Sequence, residues 1–315
     1  MYYARDEWNS VSLPVQRYVT QYGFDERAIL LAAGPTGTVD WTEIENMAGT
    51  AYRTLQSRGF DADHIQCLSS LDVSDYDGDG SNDVDAASSR VNLQEAILGW
   101  AGSTNAGGPA QKLTVCLMGN ETNGNLYLSE TENLTPALLD GWLDEFQASN
   151  RTLNVVLEFS SSGGFAPHLE APPDRERIVV TSSRDKQESL REHEGLVSFS
   201  QFFFTEVFQG RTIWQSYRRA RLAIRKMSGR IFQRAGLDDS GNGIVNEKNI
   251  DGVLADQRYI GPAFVTGDDS PQFGRVIPDQ SIRRGDALTL WAQDVADVDG
   301  VSNVWCIITP PDYDG

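Results

Sequence analysis

The run Ala28-Ile29-Leu30-Leu31-Ala32-Ala33 is apolar at every position and is stopped by Gly34-Pro35. An unbroken apolar run of this length reads as a strand covered on both faces, and it is far shorter than the roughly 20 residues that cross a bilayer. Thr42 to Arg58 then places Ile44, Met47, Ala48, Ala51, Tyr52 and Leu55 on one stripe at helical spacing, the pattern of a crossover helix. The alternation continues. Ile65 to Leu68, Leu113 to Met118, Val155 to Phe159 and Ile178 to Thr181 read as strands. Leu93 to Trp100, Leu138 to Phe146, Phe199 to Phe208 and Ile213 to Phe232 read as helices. Short apolar strands separated by longer helical segments predict an α/β domain with a mostly parallel sheet between helices.

The grammar changes beyond about residue 261. Residues 263–276 are rich in Gly, Pro, Asp and Ser without periodicity and read as a linker. Ala287 to Ala292 and Val304 to Ile308 are strand-like and joined by the acidic stretch Asp294 to Gly300, as at the start of an immunoglobulin-like β-sandwich of roughly 100 residues. The expected organisation is an N-terminal extension at 1–24, an α/β domain at 25–262, the linker, and a partial immunoglobulin-like domain at 277–315. The chain stops after Pro310-Pro311-Asp312-Tyr313-Asp314-Gly315 with no closing element, as expected of a piece of a longer protein, and its charged first residues carry no visible secretory signal.

Charge narrows the partners. The 315 residues hold 45 acidic and 26 basic side chains, a formal net charge of −19. Such a field repels phosphate backbones and anionic headgroups, so neither nucleic acid nor membrane insertion is expected, whereas cations are attracted. Arg218, Arg219, Arg221, Arg225 and Arg230 form a local exception that reads as a solvated helix face. Trp100, Trp142 and Trp214 fall on helical stripes and read as packing residues. Of the three cysteines, Cys67 and Cys116 sit in apolar strand-like runs, so with Cys306 they do not suggest a disulfide framework.

Two loops have the rhythm of calcium sites. Asp75, Asp77 and Asp79 alternate ahead of Gly80, with Asp83 and Asp85 following, a spacing that wraps oxygen ligands around a hard cation. The twelfth position is Ala86, so a bidentate glutamate is missing and a ligand must come from Asp85 or Asp72. Asp238, Ser240, Asn242 and Asn246 repeat the rhythm with fewer charges. A structural Ca2+ is the expectation for the first loop, with a plain Asx/Gly turn as the competing reading for the second.

In an open α/β sheet, functional groups gather at the carboxyl ends of the strands. There, Leu113 to Gly124 resembles the strand of bacterial caspase-like and legumain-like (clan CD, C13-type) cysteine peptidases that ends in Asp-His-Gly-Gly. Val156-Leu157-Glu158-Phe159-Ser160-Ser161-Ser162-Gly163-Gly164-Phe165 resembles their next strand, ending in Asp-Ala-Cys-x-Ser-Gly-Ser-Phe. Further similar segments at Ala51 to Leu55, Arg177 to Ser183 and Val197 to Phe203 extend the resemblance over roughly residues 25–262. It implies a caspase-like three-layer α/β/α sandwich, with the histidine of the dyad falling on Asn120 and the cysteine on Ser160.

Both members of that dyad are therefore substituted. A carboxamide has no useful basicity, and a serine hydroxyl without a partner base is a poor nucleophile. The expected function is a catalytically inactive binding or structural module of a larger secreted or surface protein, holding a peptide or protein in a vestigial cleft bordered by Glu121, Glu158, Ser198, Phe199 and Ser200. The alternative is an active C13-like endopeptidase using Ser160, with His168 or a carboxylate from Glu121 or Glu158 as base. His64 and His193 complete the histidines and read as solvated.

Overall fold

The computed structural model describes residues 26–102, 109–227, 232–261, 272–276, 289 and 291–296. These fall into two compact units, one carrying residues 26–261 and the other the strands near residues 272–296.

In the larger unit, β1 (Glu26–Ala33) leads to α1 (Val39–Ser57), β2 (Ile65–Ser69) and β3 (Ala86–Ala87). The chain continues through α2 (Arg90–Gln94), which widens into a π-type turn over Glu95–Trp100, to β4 (Lys112–Gly119). A small meander follows, β5 (Glu121–Thr122), β6 (Asn125–Ser129) and β7 (Glu132–Leu134), before α3 (Pro136–Gln147) and β8 (Thr152–Glu158). Then come β9 (Arg177–Thr181), β10 (Arg191–Glu192), β11 (Val197–Ser198), α4 (Phe199–Phe208), α5 (Ile213–Met227) and β12 (Gly236–Asp238). Seven strands form one sheet in the order β12-β9-β8-β4-β1-β2-β3. All its pairings are parallel except β12 with β9.

β1 lies inside the sheet, between β4 and β2, and both of its faces are apolar. Ala28, Leu30 and Ala32 join one core with Met47, Ala51, Phe203 and Tyr217, packing against α1, α4 and α5. Ile29, Leu31 and Ala33 join the other with Ile97, Leu143 and Phe146, on the side of α2 and α3. The result is the α/β/α sandwich with a mostly parallel sheet expected from the sequence. Leu30 pairs with Cys67 on one side and Cys116 on the other. Both thiols are buried and free, and burial pushes that of Cys116 up to about 12. Cys306 lies outside the described residues.

The helix starts follow local capping rules. Thr38 Oγ1 accepts from the Trp41 amide at 3.2 Å and Thr135 Oγ1 from the Leu138 amide at 3.2 Å, while Pro136 opens α3 where its missing N–H costs nothing. Trp142 is buried, Trp100 stacks under Arg27, and Trp214 packs on Tyr217 with Arg218 above it. Arg219 and Arg211 pair with Glu206; Arg230 is outside the described residues. α5 is described as far as Met227, and Phe232 is not helical. No helix among the described residues is long and apolar enough to cross a membrane.

In the smaller unit, β13 (Gln272–Val276) pairs antiparallel with β14 (Ala292–Ala296). This corrects the expectations for residues 272–276 and for Asp294. Residues 272–276 lie in the span read as a linker, yet ladder pairing with β14 satisfies their backbone whatever their side-chain pattern. Of the strand expected at Ala287 to Ala292, Ala287, Leu288 and Leu290 lie outside the described residues, and β14 takes in Ala292 and continues through Asp294, a residue expected in the joining loop. Val304 to Ile308 lies outside the described residues, as does the extension at 1–24.

Candidate functional site

Strand order locates the site. From β1 the chain first builds outward through β2 and β3, then returns to β4 on the opposite side of β1 and continues outward to β8 and β9. The crevice at such a switch point, beyond the carboxyl ends of the strands, is where α/β sheets place ligands. Asn120 follows β4 there, its amide donating to the Ala33 carbonyl at 3.3 Å. In the parallel register of β4 and β8, Met118 pairs with Glu158, so Asn120 and Ser160 each lie two residues beyond the same rung.

Ser160 Oγ accepts from the Ser189 amide at 3.1 Å. Ser161 turns left-handed at φ 62° and directs the chain into a short 3₁₀ turn, Ser162–Gly164. Beneath it is a buried hydroxyl network: Ser162 Oγ lies 3.3 Å from the hydroxyls of both Ser182 and Ser183, and Ser182 Oγ lies 2.8 Å from that of Ser189. Hydroxyls that bond one another in this way rigidify a turn. Among the described residues no histidine hydrogen-bonds Ser160. His64 pairs with Asp61 at 2.5 Å ahead of β2, His168 is exposed in a 3₁₀ turn, and His193 is exposed between β10 and β11.

Glu158 is fully buried. Its Oε2 accepts from the Ser200 amide at 2.6 Å, near the start of α4, where Ser198 Oγ accepts from the Gln201 amide at 3.1 Å. Two of the four free N–H groups of that helix end are thus satisfied. Glu158 Oε1 has no hydrogen-bond partner by distance and angle, although the hydroxyls of Ser182 and Ser200 lie close enough to favour its charged form. Burial pushes this carboxyl up from its ordinary value, and the charge of Arg191 pulls it down. Ser198, Phe199 and Ser200 are all buried, so they do not border an open groove. Glu121 also stands apart: its carboxylate accepts from the Gly124 amide and closes the β5–β6 turn.

Arg191 is the residue that sequence reasoning missed. Its guanidinium donates to Asn120 Oδ1 at 2.8 Å and to the Gly119 carbonyl. Burial lowers its basicity, while Glu158, Glu43 and Asp40, in that order, hold its proton in place. Asn120 Nδ2 in turn donates to Asp40 Oδ2 at 3.4 Å. The strand ends therefore carry a hydrogen-bonded chain of Arg191, Asn120 and Asp40, with Glu158 and Glu43 acting on Arg191 through their charge. A lone arginine in an aperiodic stretch gives no sequence signal for this role.

The first acidic loop gathers Asp75, Asp77 and Asp83, whose nearest oxygens all lie within 4.8 Å of one another. Asp75 accepts from the amides of Gly78 and Gly80, both at positive φ, and Asp83 accepts from the Tyr76 amide at 2.5 Å. Asp79 and Asp85 are outside this trio: Asp79 accepts from the Ser81 amide, and Asp85 ties the loop to β2 through the Cys67 amide at 2.7 Å. In the second loop Asp238 is buried and accepts from Ser240, Gly241 and Gly243. Asn242 Oδ1 accepts from the Ile244 amide, and Asn246 is bonded to Tyr217 and the Ala235 carbonyl. Backbone and side-chain partners thus take up the oxygens of the second loop, whereas the first presents three converging carboxylates.

No family model matches the sequence, and no curated protein matches it. Among solved structures the chain is similar to the crystal structure of caspase-1 from Spodoptera frugiperda, with 14% identity over 72% of this chain and 93% of that chain and a TM-score of 0.48.

Proposed function

We propose that residues 25–262 are a catalytically inactive caspase-like or legumain-like module that binds polypeptide at its strand ends, within a larger secreted or surface protein. The observation that carries this reading is the state of the two dyad-equivalent positions. The Asn120 carboxamide is engaged by Arg191 and Asp40, and the Ser160 hydroxyl meets a backbone amide rather than a base. General-base catalysis needs a group that titrates near the working pH within hydrogen-bond reach of the nucleophile. Asp75, Asp77 and Asp83 would hold a structural Ca2+, a hard cation suited to carboxylate oxygens. The flanking strands would open an immunoglobulin-like domain.

Fluorogenic peptides with Arg, Asn or Asp before the scissile bond, assayed with and without calcium, should show no turnover above buffer. Turnover that disappears in Ser160→Ala would overturn the reading.

A further inference from the structure

Helix α5 runs against the charge of its own chain. It carries Arg218, Arg219, Arg221, Arg225 and Lys226 and no aspartate or glutamate, in a protein whose net charge is −19. Trp214, Arg218, Arg221 and Arg225 recur at steps of four, three and four residues, so they share one face of the helix. Arg219 lies on the other flank and pairs with Glu206 at 3.7 Å.

Among the described residues neither Arg218 nor Arg221 meets a carboxylate. Each lies over an aromatic ring instead: Arg218 Cζ is 5.8 Å from the centre of the Trp214 ring and Arg221 Cζ 5.9 Å from that of Tyr217, and the two rings stack at 5.8 Å. The rings are themselves fixed. Tyr217 is fully buried with its hydroxyl donating to the Ala235 carbonyl at 2.9 Å, and Gly252 packs so closely on the Trp214 indole that a Cβ would come within 2.8 Å of it. A guanidinium laid on a fixed ring has lost much of its side-chain freedom before any partner arrives, and its N–H edge stays free to meet a planar anion. Ile250 and Val253, 47% and 62% exposed, flank Gly252 in the chain, so apolar surface borders the turn on which Trp214 packs. Arginine and aromatic side chains beside an apolar patch are the composition of an interface anchor.

We propose that this face of α5, with Ile250 and Val253, docks an acidic polypeptide segment whose carboxylates, one helical turn apart, take Arg218, Arg221 and Arg225 and whose apolar residues meet Ile250 and Val253. Charge complementarity selects the occupant: the stripe is a positive island, and a carboxylate accepts two parallel N–H groups of a guanidinium. Nucleic acid fits less well, because the rest of the molecule repels its dense charge and a phosphate backbone gains nothing from exposed isoleucine and valine. A second copy of this chain would bring a further −19 to the same surface. The stripe shares no residue with the strand-end network of Asn120 and Arg191, so the proposal stands apart from the reading of that site.

Two fluorescein-labelled helical peptides test it by anisotropy at one fixed ionic strength. One carries Glu at i, i+4 and i+7 with Leu on the adjoining stripe; the other has Gln for each Glu. A single-stranded oligothymidylate is the third probe. The wild type should bind the Glu peptide about tenfold more tightly than either of the others, and the double variant Arg218→Gln, Arg221→Gln should lose about tenfold in affinity for it. Val253→Ser should also weaken binding, whereas Arg219→Gln, which removes a charge from the other flank, should leave it unchanged. Equal affinity for the Glu and Gln peptides, tighter binding of the oligonucleotide, unchanged binding in the double variant or in Val253→Ser, or an equal loss in Arg219→Gln would overturn the proposal. Sedimentation that shows self-association lost in the double variant would also overturn it and give the face to a second copy. If the double variant fails to fold, Arg225→Gln decides, since that residue is exposed on the same stripe: weaker binding of the Glu peptide is expected, and unchanged binding refutes the docking face.

Discussion

Replacing Arg177 by methionine should destabilise the larger unit more than any exposed ion-pair change in it. The side chain is fully buried at the start of β9. Its Nε donates to Gln147 Oε1 at 2.8 Å, Nη1 to Asp140 Oδ1 at 2.9 Å and to the Glu170 carbonyl at 3.0 Å, and Nη2 to Asp144 Oδ1 at 2.6 Å. Methionine fills most of the volume but donates nothing. Asp140 and Asp144 are 29% and 46% exposed, so they can turn to water. Gln147 Oε1 cannot, because its residue is fully buried with its amide nitrogen committed to the Arg151 and Glu176 carbonyls. Leaving buried acceptors unmade costs about 1–3 kcal/mol each. The Glu170 carbonyl belongs to an exposed residue and can turn to water, so a loss of about 1–3 kcal/mol follows from the Gln147 acceptor. For a domain of this size that is about 5 °C in the melting midpoint. Urea unfolding followed by circular dichroism measures it. Asp144→Asn is the control: half exposed, it should cost less than about 1 kcal/mol. A loss below about 1 kcal/mol for Arg177→Met, or equal losses for the two variants, would refute the reasoning.

Chelation should lower the melting midpoint, since a cation held at 100 times its Kd stabilises by about 2.7 kcal/mol; Asp83→Asn should abolish the response, and a melt unchanged by chelator removes the metal. A pH dependence is expected from Asp251. Burial, then the charges of Asp238 and Asp239, raise its carboxyl to about 6 against hydrogen bonds from the amides of Glu247 and Asp239. A folded value above the unfolded one favours the protonated form in the fold, so this stability is fully present below the unfolded value and is lost as pH rises through about 6. Melts in chelator between pH 4 and 7 should therefore show a shallower slope for Asp251→Asn than for the wild type, and identical slopes would sink the assignment.

The sheet was legible where side chains alone decide it. β1 is apolar on both faces, and α1 carries its stripe at Ile44, Met47, Ala48, Ala51, Tyr52 and Leu55, all buried; burial drives both and their periodicities differ. The meander β5 to β7 carries a local sequence signal. Asn123-Gly124 adopts φ 52° and 78°, the left-handed pair of a tight hairpin, ahead of the alternating Leu126 and Leu128. The β10–β11 hairpin carried none, because two-residue strands have no period. The site divides in the same way. Asn120 and Ser160 could be placed because each follows a strong strand, whereas the partnership of Arg191 with Asn120 depends on a segment 71 residues away in sequence.

The proposed loss of hydrolysis turns on how Glu158, the buried carboxylate of the strand ends, is used. For Ser160 to act as a nucleophile, a base has to reach its hydroxyl, and Glu158, two residues earlier, is the nearest carboxylate in the chain. Yet Oε2 of Glu158 is committed to the Ser200 amide at the start of α4, and the neighbouring Arg191 favours its charged form. Turning Oε2 toward Ser160 would strip a helix end of a cap, a loss of about 0.5–2 kcal/mol, before any proton moved. Its side chain would also leave a fully buried position. The hydrogen bond from the Ser200 amide favours the capping role for Oε2 of Glu158.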